Sequence, residues 1–542
     1  MTNSPDSQNQ SQPEVFTKPA KSSSKVMAQI AICSFLFLLL FYGFCIGGLV
    51  LKEPDICFLL GGGRWIVEHG QLPATDPFSY TTPYHPVPYV IEKWLTEVVF
   101  YGIEKHFGLT ALLLFDGLVL ATAFIVVPYR IVYLSGLRGG AAMRMVCLTL
   151  LASMSHLAVR PEIFSFLFTA IWFEIIARIN SATAGNTKIR WDLIAVLVVL
   201  MCLWSNMHTL FMVGVLIPGF YTACALVERY LPGTKDKPFN WTMPIATVAC
   251  IVASLINPYG IGLWTYLPNV FGSFNDTNNE MQPINLKNAH NPLFIGYYLL
   301  VITGFIELAK SWRKPLKQGD LFFRGLIPLG IFGGFKTVRS IPMSGLFLFS
   351  GRARMHPQSA HKGNADVEKS AGESFIERLT NPFFPVWPIT CIAIVLIGIF
   401  ACTTAVEPVV PQDSAAFKPP FEAIEFIEKE KPTGNLLNDP HFGAVMIYKM
   451  HDNPPVFIDP RYNLYGNTLL QDYWHMVNCD PGYKELLDKY KIDWIFLAPG
   501  AKLPQQLAKA PDWRLLYSDK KSVIYARNSA TTEAKETSKQ TP

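Results

Sequence analysis

The sequence predicts a mainly α-helical protein: a polytopic bundle of about eleven transmembrane helices that carries a small α/β domain on its outer side. Three observations predict it. Half of the 542 residues are apolar and only 16% are charged, against about 25% charged in an ordinary soluble domain; mean hydropathy is +0.25. Apolar runs near bilayer length then recur from Val26 to Val406. Finally, when the N-terminus is placed inside, 22 Lys and Arg fall on the inner side and 8 on the outer side before the last run, as the positive-inside rule requires. This pattern excludes a soluble enzyme, a disordered chain and a fibrous repeat. A net charge of +5 is too small to imply nucleic acid as a partner.

Residues 1–25 are polar and rich in Ser, Gln and Pro, the composition of a disordered cytoplasmic tail. The run Val26–Leu51 is too long for the core of a cleaved signal peptide and is read as a retained helix. It opens a membrane domain over 26–406, with a long outer loop over 52–108. That loop is mixed in character, and Trp94–His106 within it has the pattern of an amphipathic, interfacial helix, with Trp94 at headgroup level. The next spans are Leu109–Leu134, Ala141–Leu157, Glu162–Ile179, Trp191–Ser205, Thr209–Val227, Trp241–Ile256, Pro292–Ala309, Leu321–Phe335, Ile341–Ser350 and Pro385–Val406.

Past Val406 the character changes. Phe421–Lys429 has helical spacing; Val456–Asp459, Trp494–Ala498, Arg514–Tyr517 and Val523–Ala526 read as strands; Tyr483–Tyr490 and Pro504–Ala510 read as helices between them. Alternation of this kind predicts an extracytoplasmic α/β domain over 407–528, followed by a disordered tail, 529–542. The ten cysteines show no CxxC or Cys/His spacing and read as small core residues rather than a disulfide framework or metal set.

Charges that disobey the inside bias carry the functional signal, because ionisable groups at membrane depth face a cavity or a partner. Asp55 lies just past the first span; Arg160 lies in an outer turn; Asn206 and His208 lie in the next, and Asn257 in the one after. Lys336 and Arg339 lie at the outer end of a later span. Distant stretches of chain thus deliver an acid, cations, an imidazole and amides to one membrane face. Arg and Lys neutralise a phosphate leaving group, and a carboxylate deprotonates an incoming hydroxyl. The competing reading is that of any polytopic protein, in which turns are polar and an Arg at a helix end snorkels to headgroups. In the first outer loop, Gly61–Gly63 lacks the Lys-Ser/Thr of a phosphate loop and reads as close packing or a turn. Asp76-Pro77 is a turn signal and a candidate ligand for a divalent cation. Glu92 and Glu97 are acids able to face a cavity. His69 and His106 read as surface residues. In the tail, Asp439, His441, Asp459 and Arg461 are polar candidates better suited to turns or structure.

The order of several segments carries a resemblance: Asp55…Gly63-Arg64-Trp65-Ile66…His69-Gly70-Gln71-Leu72-Pro73…Asp76-Pro77-Phe78-Ser79-Tyr80, then Trp94-Leu95…Glu97, Arg160-Pro161-Glu162, Trp204-Ser205-Asn206-Met207-His208, Asn257-Pro258-Tyr259-Gly260 and Phe457-Ile458-Asp459-Pro460-Arg461. From about Asp55 to Arg527 the chain resembles bacterial multi-spanning, GT-C-type glycosyltransferase-like membrane proteins. The resemblance implies a hexosyltransferase of the cell envelope, in the bacterial inner or plasma membrane. Such an enzyme moves a sugar from a polyprenyl-phosphate carrier to an extracytoplasmic glycan, lipid or protein, with inversion and without nucleic acid. It makes Asp55 the base, with Asp76 and Glu92 as further candidate acids. Arg160, Arg339, Lys336, His208, Asn206 and Asn257 become candidates for binding substrate. One departure stands out: ahead of Trp94-Leu95, where the resemblance leads one to expect His-Glu, this chain has Glu92-Lys93. Two other classes fit a polytopic chain, a transporter or lipid flippase and a non-catalytic scaffold with an outer binding domain. Against the transporter, the polar groups cluster at one face and no internal repeat is evident.

Overall fold

The computed structural model describes residues 55–355 and 419–528, apart from short breaks at 85–87, 136, 138–139, 155–157, 183–187, 233, 236–237, 273–281, 286–288 and 452. The tails 1–25 and 529–542 and the expected spans Val26–Leu51 and Pro385–Val406 lie outside the described residues.

The first described element departs from expectation. What reads as loop after the first span is a 15-residue helix, α1 (Asp55–His69). Its acidic first residue complements the helix dipole, and Gly70 ends it in the left-handed region at φ +65°, with Pro73 beyond. Three consecutive glycines are poor helix formers, so packing decides. The residues Ile56–Gly63 are buried. A Cβ at position 61 would strike Ile447, and one at 63 would strike the Glu97 carbonyl. The glycines let two neighbouring backbones approach, which is the close-packing role.

Helix α2 (Trp94–Ala121) joins the expected interfacial helix to the expected span, with a break at Gly108, φ 80° and ψ 171°. A π-helical stretch Thr122–Val126 leads into α3 (Val127–Leu134). Then follow α4 (Gly140–Ser153), α5 (Glu162–Ala182), α6 (Trp191–Met207), α7 (Phe211–Glu228) and α8 (Thr242–Ala253). The helix α9 (Ile261–Gly272) is one that hydropathy did not pick out. The bundle closes with α10 (Ile295–Trp312), α11 (Asp320–Lys336) and α12 (Ile341–Met355). Three described segments are long and apolar enough to cross a membrane: Trp94–Leu134, Phe211–Glu228 and Pro292–Trp312. Others, such as α6 and α8, are apolar but shorter. Val199, Val248, Ile302, Phe305 and Phe332 are each more than half exposed, a greasy outer face suited to lipid and costly in water.

The tail is a small α/β unit. Helix α13 (Phe421–Glu430) precedes strand β1 (Asn435–Asn438) and α14 (Pro440–Met450). Next are α15 (Gly466–Asn478), α16 (Tyr483–Lys489), β2 (Ile492–Leu497), α17 (Lys502–Leu507), β3 (Trp513–Ser518) and β4 (Val523–Arg527). The sheet order is β1-β2-β4-β3, with β1 parallel to β2 and the other pairs antiparallel. Central β2 is buried along nearly its whole length, as its run Ile-Asp-Trp-Ile-Phe-Leu requires. The strand expected at Val456–Asp459 is not in this sheet. Val456 pairs instead with Ser79 in the loop that follows α1, through a single parallel bridge.

Candidate functional site

Two ion pairs from three separate stretches of chain form the centre. Asp55, the first residue of α1, places its carboxylate 3.5 Å from Nε of Arg160. Arg160 is buried and lies two residues before Glu162, which opens α5. The buried Glu162 carboxylate accepts from Arg339 Nε at 2.8 Å and lies 2.7 Å from its Nη2. Arg339 occupies the 3-10 turn Val338–Ser340 between α11 and α12. The Arg-Pro-Glu turn thus sends its cation to one partner and its acid to another.

His208 closes the same region. Its buried ring lies 2.8 Å, through Nδ1, from Ser165 Oγ, and Glu162, Arg339 and Lys93 are within electrostatic reach. Burial pushes the imidazole down to about 3, helped by Arg339 and Lys93 and opposed by Glu162. It is therefore a neutral hydrogen-bonding group near pH 7 rather than a cation.

Other candidates take supporting parts. Asn206 accepts from Trp94 Nε1 at 2.9 Å and donates to the Ile256 and Cys202 carbonyls, which ties α6 to α2. Asn257 builds its own turn, accepting from Tyr259 N and donating to the Ser254 carbonyl. Tyr259 in turn receives the Ile91 amide, steadying the approach to Glu92. Lys336, expected beside Arg339, is exposed and lies over the Phe332 ring, away from the ion pairs.

Asp76 is part of a separate, buried construction. Its carboxylate receives Arg461 Nη1 at 2.9 Å and the Phe78 and Ser79 amides. Arg461 grips Asp459 with Nε and Nη2 at 2.9 and 2.6 Å. Tyr465 donates to the same carboxylate and meets Ser79 Oγ at 2.6 Å. Burial alone would raise the Asp459 carboxyl; the Arg461 charge, with the hydrogen bonds from Arg461 and Tyr465, outweighs it and holds the group below the ordinary carboxylate range. Main-chain bonds between Phe78, Tyr80 and Val456 run alongside, and Arg64 donates to the Ile447 and Tyr448 carbonyls. This assembly fastens the first outer loop to the tail unit. Asp439 caps α14, accepting from the His441 and Phe442 amides.

A small cleft lies beside Arg461. Phe58 and Gly62 of α1, Tyr89, Glu92 and Lys93 of the loop, Glu97 of α2, and Arg461 and Asn463 of the tail unit line it. Lys93 approaches Glu92 at 3.5 Å. Sequence reasoning missed Glu162 because an acid at a helix start reads as a dipole partner. Its place two residues after Arg160, on the side the bias disfavours, was the available signal.

No protein-family model and no curated protein matches the sequence. Solved structures do. The oligosaccharyltransferase of Archaeoglobus fulgidus, tethered to an acceptor peptide containing the NVT sequon, aligns with 93% of this chain and 74% of its own, at 11% identity and a TM-score of 0.53. Its apo form gives 87% and 69%, 10% and 0.48. ArnT from Cupriavidus metallidurans, bound to undecaprenyl phosphate, gives 94% and 98%, 14% and 0.45. The tethered oligosaccharyltransferase shows the fold: this chain shares the architecture of that protein.

Proposed function

We propose that the protein is an integral-membrane glycosyltransferase that moves a hexose from a polyprenyl-phosphate carrier to an extracytoplasmic acceptor of the cell envelope. The observation that carries this reading is the approach of Asp55 to Arg160 beside the Glu162–Arg339 pair. A base and two guanidinium groups, from distant parts of the chain, flank one place.

In this mechanism the Asp55 carboxylate takes the proton of an acceptor hydroxyl. The freed oxygen forms a bond to the anomeric carbon as the bond to the carrier phosphate breaks, inverting the centre in one displacement. The departing phosphate keeps the electron pair, and Arg160 and Arg339 neutralise it. Glu162 takes the Nε–Nη2 edge of Arg339, which aims the guanidinium and leaves its Nη1 donors for phosphate. His208, neutral and buried, supports this wall as a hydrogen-bonding group. The reading assigns about eleven spans in all, a cytoplasmic N-terminus and an outer tail domain that shapes the acceptor side.

Purified protein in liposomes, incubated with a panel of labelled polyprenyl-phosphate sugars, should release label from the lipid. Asp55→Asn should lower that release by about 10²–10⁴-fold, the range for loss of a positioned base, with the thermal midpoint little changed. A fully active Asp55→Asn protein would refute the assignment. A transporter would move labelled lipid across the bilayer without cleaving it, and a scaffold would tolerate the substitution in every assay.

A further inference from the structure

The cleft along α1 is built around a buried carboxyl group. Glu97 is only 4% exposed and lines the cleft. Among the described residues its side chain has no hydrogen bond or ion pair. Lys93 and Arg461 act on it electrostatically, but the direct contacts they make are with Glu92 and with Asp459 and Asp76. Burying a carboxylate without partners is costly, so its placement needs a reason.

Its setting is specific. The Cβ of any residue other than glycine at 62 would fall on the Glu97 carboxylate, and at 63 on the Glu97 carbonyl. The glycines of α1 therefore clamp the acid from behind, and its remaining edge opens to the cleft. Phe58 and Tyr89 give aromatic walls, and Asn463 gives an amide held by Tyr266 through Nδ2 at 3.0 Å. A carboxylate lacking donors, an amide and aromatic faces are what a sugar ring needs: a rim of hydroxyl donors and an apolar face.

The cleft also shares a helix face with the proposed base. Asp55, Phe58 and Gly62 are spaced i, i+3, i+7, one stripe of α1. Gly62 lies about 10 Å along the axis from Asp55. A ring held against Glu97 is thus aligned with, and separate from, the ion pairs at the other end of the stripe.

We infer that Glu97 is a specificity-determining residue: in the cleft against Gly62 it accepts hydrogen bonds from the hydroxyls of a monosaccharide ring, belonging either to the donor or to a glycan acceptor. This rests on the transferase reading for its biological meaning, and its test does not depend on turnover. Titration of the full-length protein in detergent with methyl glucoside, galactoside, mannoside and N-acetylglucosaminide, followed by saturation-transfer NMR, should find at least one ligand. Glu97→Gln, nearly identical in shape, should weaken that ligand about tenfold or more, equivalent to about 1.4 kcal/mol. Asn463→Ala, on the opposite wall, should weaken the same ligand. Unlabelled polyprenyl-phosphate hexose that displaces the glycoside assigns the ring to the donor; simultaneous binding assigns it to the acceptor. Absence of binding by every glycoside, or unchanged binding by a folded Glu97→Gln protein, overturns the inference. If Glu97→Gln does not fold, Asn463→Ala decides, and unchanged binding there overturns it equally. Glycoside binding that needs Glu97, in a protein that cleaves no lipid-linked sugar, would uphold the cleft and sink the transferase reading alone.

Discussion

His208 shows how a single side chain reports its surroundings. The folded imidazole takes a proton only near pH 3, whereas the unfolded one takes it near 6.5. Between those values the unfolded state binds more protons, so folding stability declines as pH falls through the window. The thermal midpoint of the wild type should therefore drop more between pH 6.5 and 4 than that of His208→Gln, by on the order of a few degrees; equal slopes would show that the ring titrates freely. Single residues were partly legible beforehand. Asp55, Arg160 and Arg339 stood out because they oppose the charge bias, and the structure pairs Asp55 with Arg160 and sets Arg339 on Glu162, two residues along the chain from Arg160. Lys336 obeyed the same logic and is not there. After α11, Thr337 is extended, at φ −148°, and beyond it Arg339, not Lys336, meets Glu162. Spacing along a sequence does not record such a turn.

Elements were legible where pattern alone forms them. Helices α5, α6, α7 and α11 begin and end within a few residues of expectation, because long apolar runs have few alternatives. Helix α1 was hidden because Gly61–Gly63 argues against a helix until Glu97 and Ile447 are seen against it. Strand β1 is four residues flanked by asparagines, too short to announce itself. Val456–Asp459, expected as a strand, makes only the bridge from Val456 to Ser79 among the described residues: hydrophobicity does not name a partner, and the partner lies some 380 residues back. The junction it makes with the first outer loop is testable. Arg461→Met leaves Asp459 and Asp76 buried without their cation and should cost about 3–5 kcal/mol, seen as a lower thermal midpoint and faster protease cleavage of the outer loop. Because Asp459 is held below its ordinary range, its share of this stability is present above the unfolded carboxylate value, near pH 4, and is lost as pH falls through the lower folded value.

At the scale of the whole molecule, the class of architecture was legible and its inventory was not. Composition and charge bias suffice for a mainly helical bundle with apolar, membrane-type helices, and the tail pattern suffices for a small sheet-bearing unit after it. They do not fix the number of spans: several apolar helices are shorter than a bilayer, and α2 runs through a break at Gly108 into what composition splits in two. The proposed orientation is checked by accessibility. A cysteine placed at Lys484, exposed on α16, should react in intact cells with a membrane-impermeant maleimide, above the wild-type background. One at Arg313, exposed just after α10, should react only after lysis. The reverse pattern would invert the molecule and put the ion pairs on the cytoplasmic face.

Arg461 and Asn463 are supplied by the last quarter of the chain, whereas Phe58, Gly62 and Glu97 come from its first fifth. During synthesis the helices carrying the early wall emerge long before the residues that close it. On the proposed orientation, the pocket stays open-sided until the end of the polypeptide has been translocated and docked on Ser79 and Asp76. On the proposed sugar reading, recognition waits until Arg461 and Asn463 are in place against the early wall.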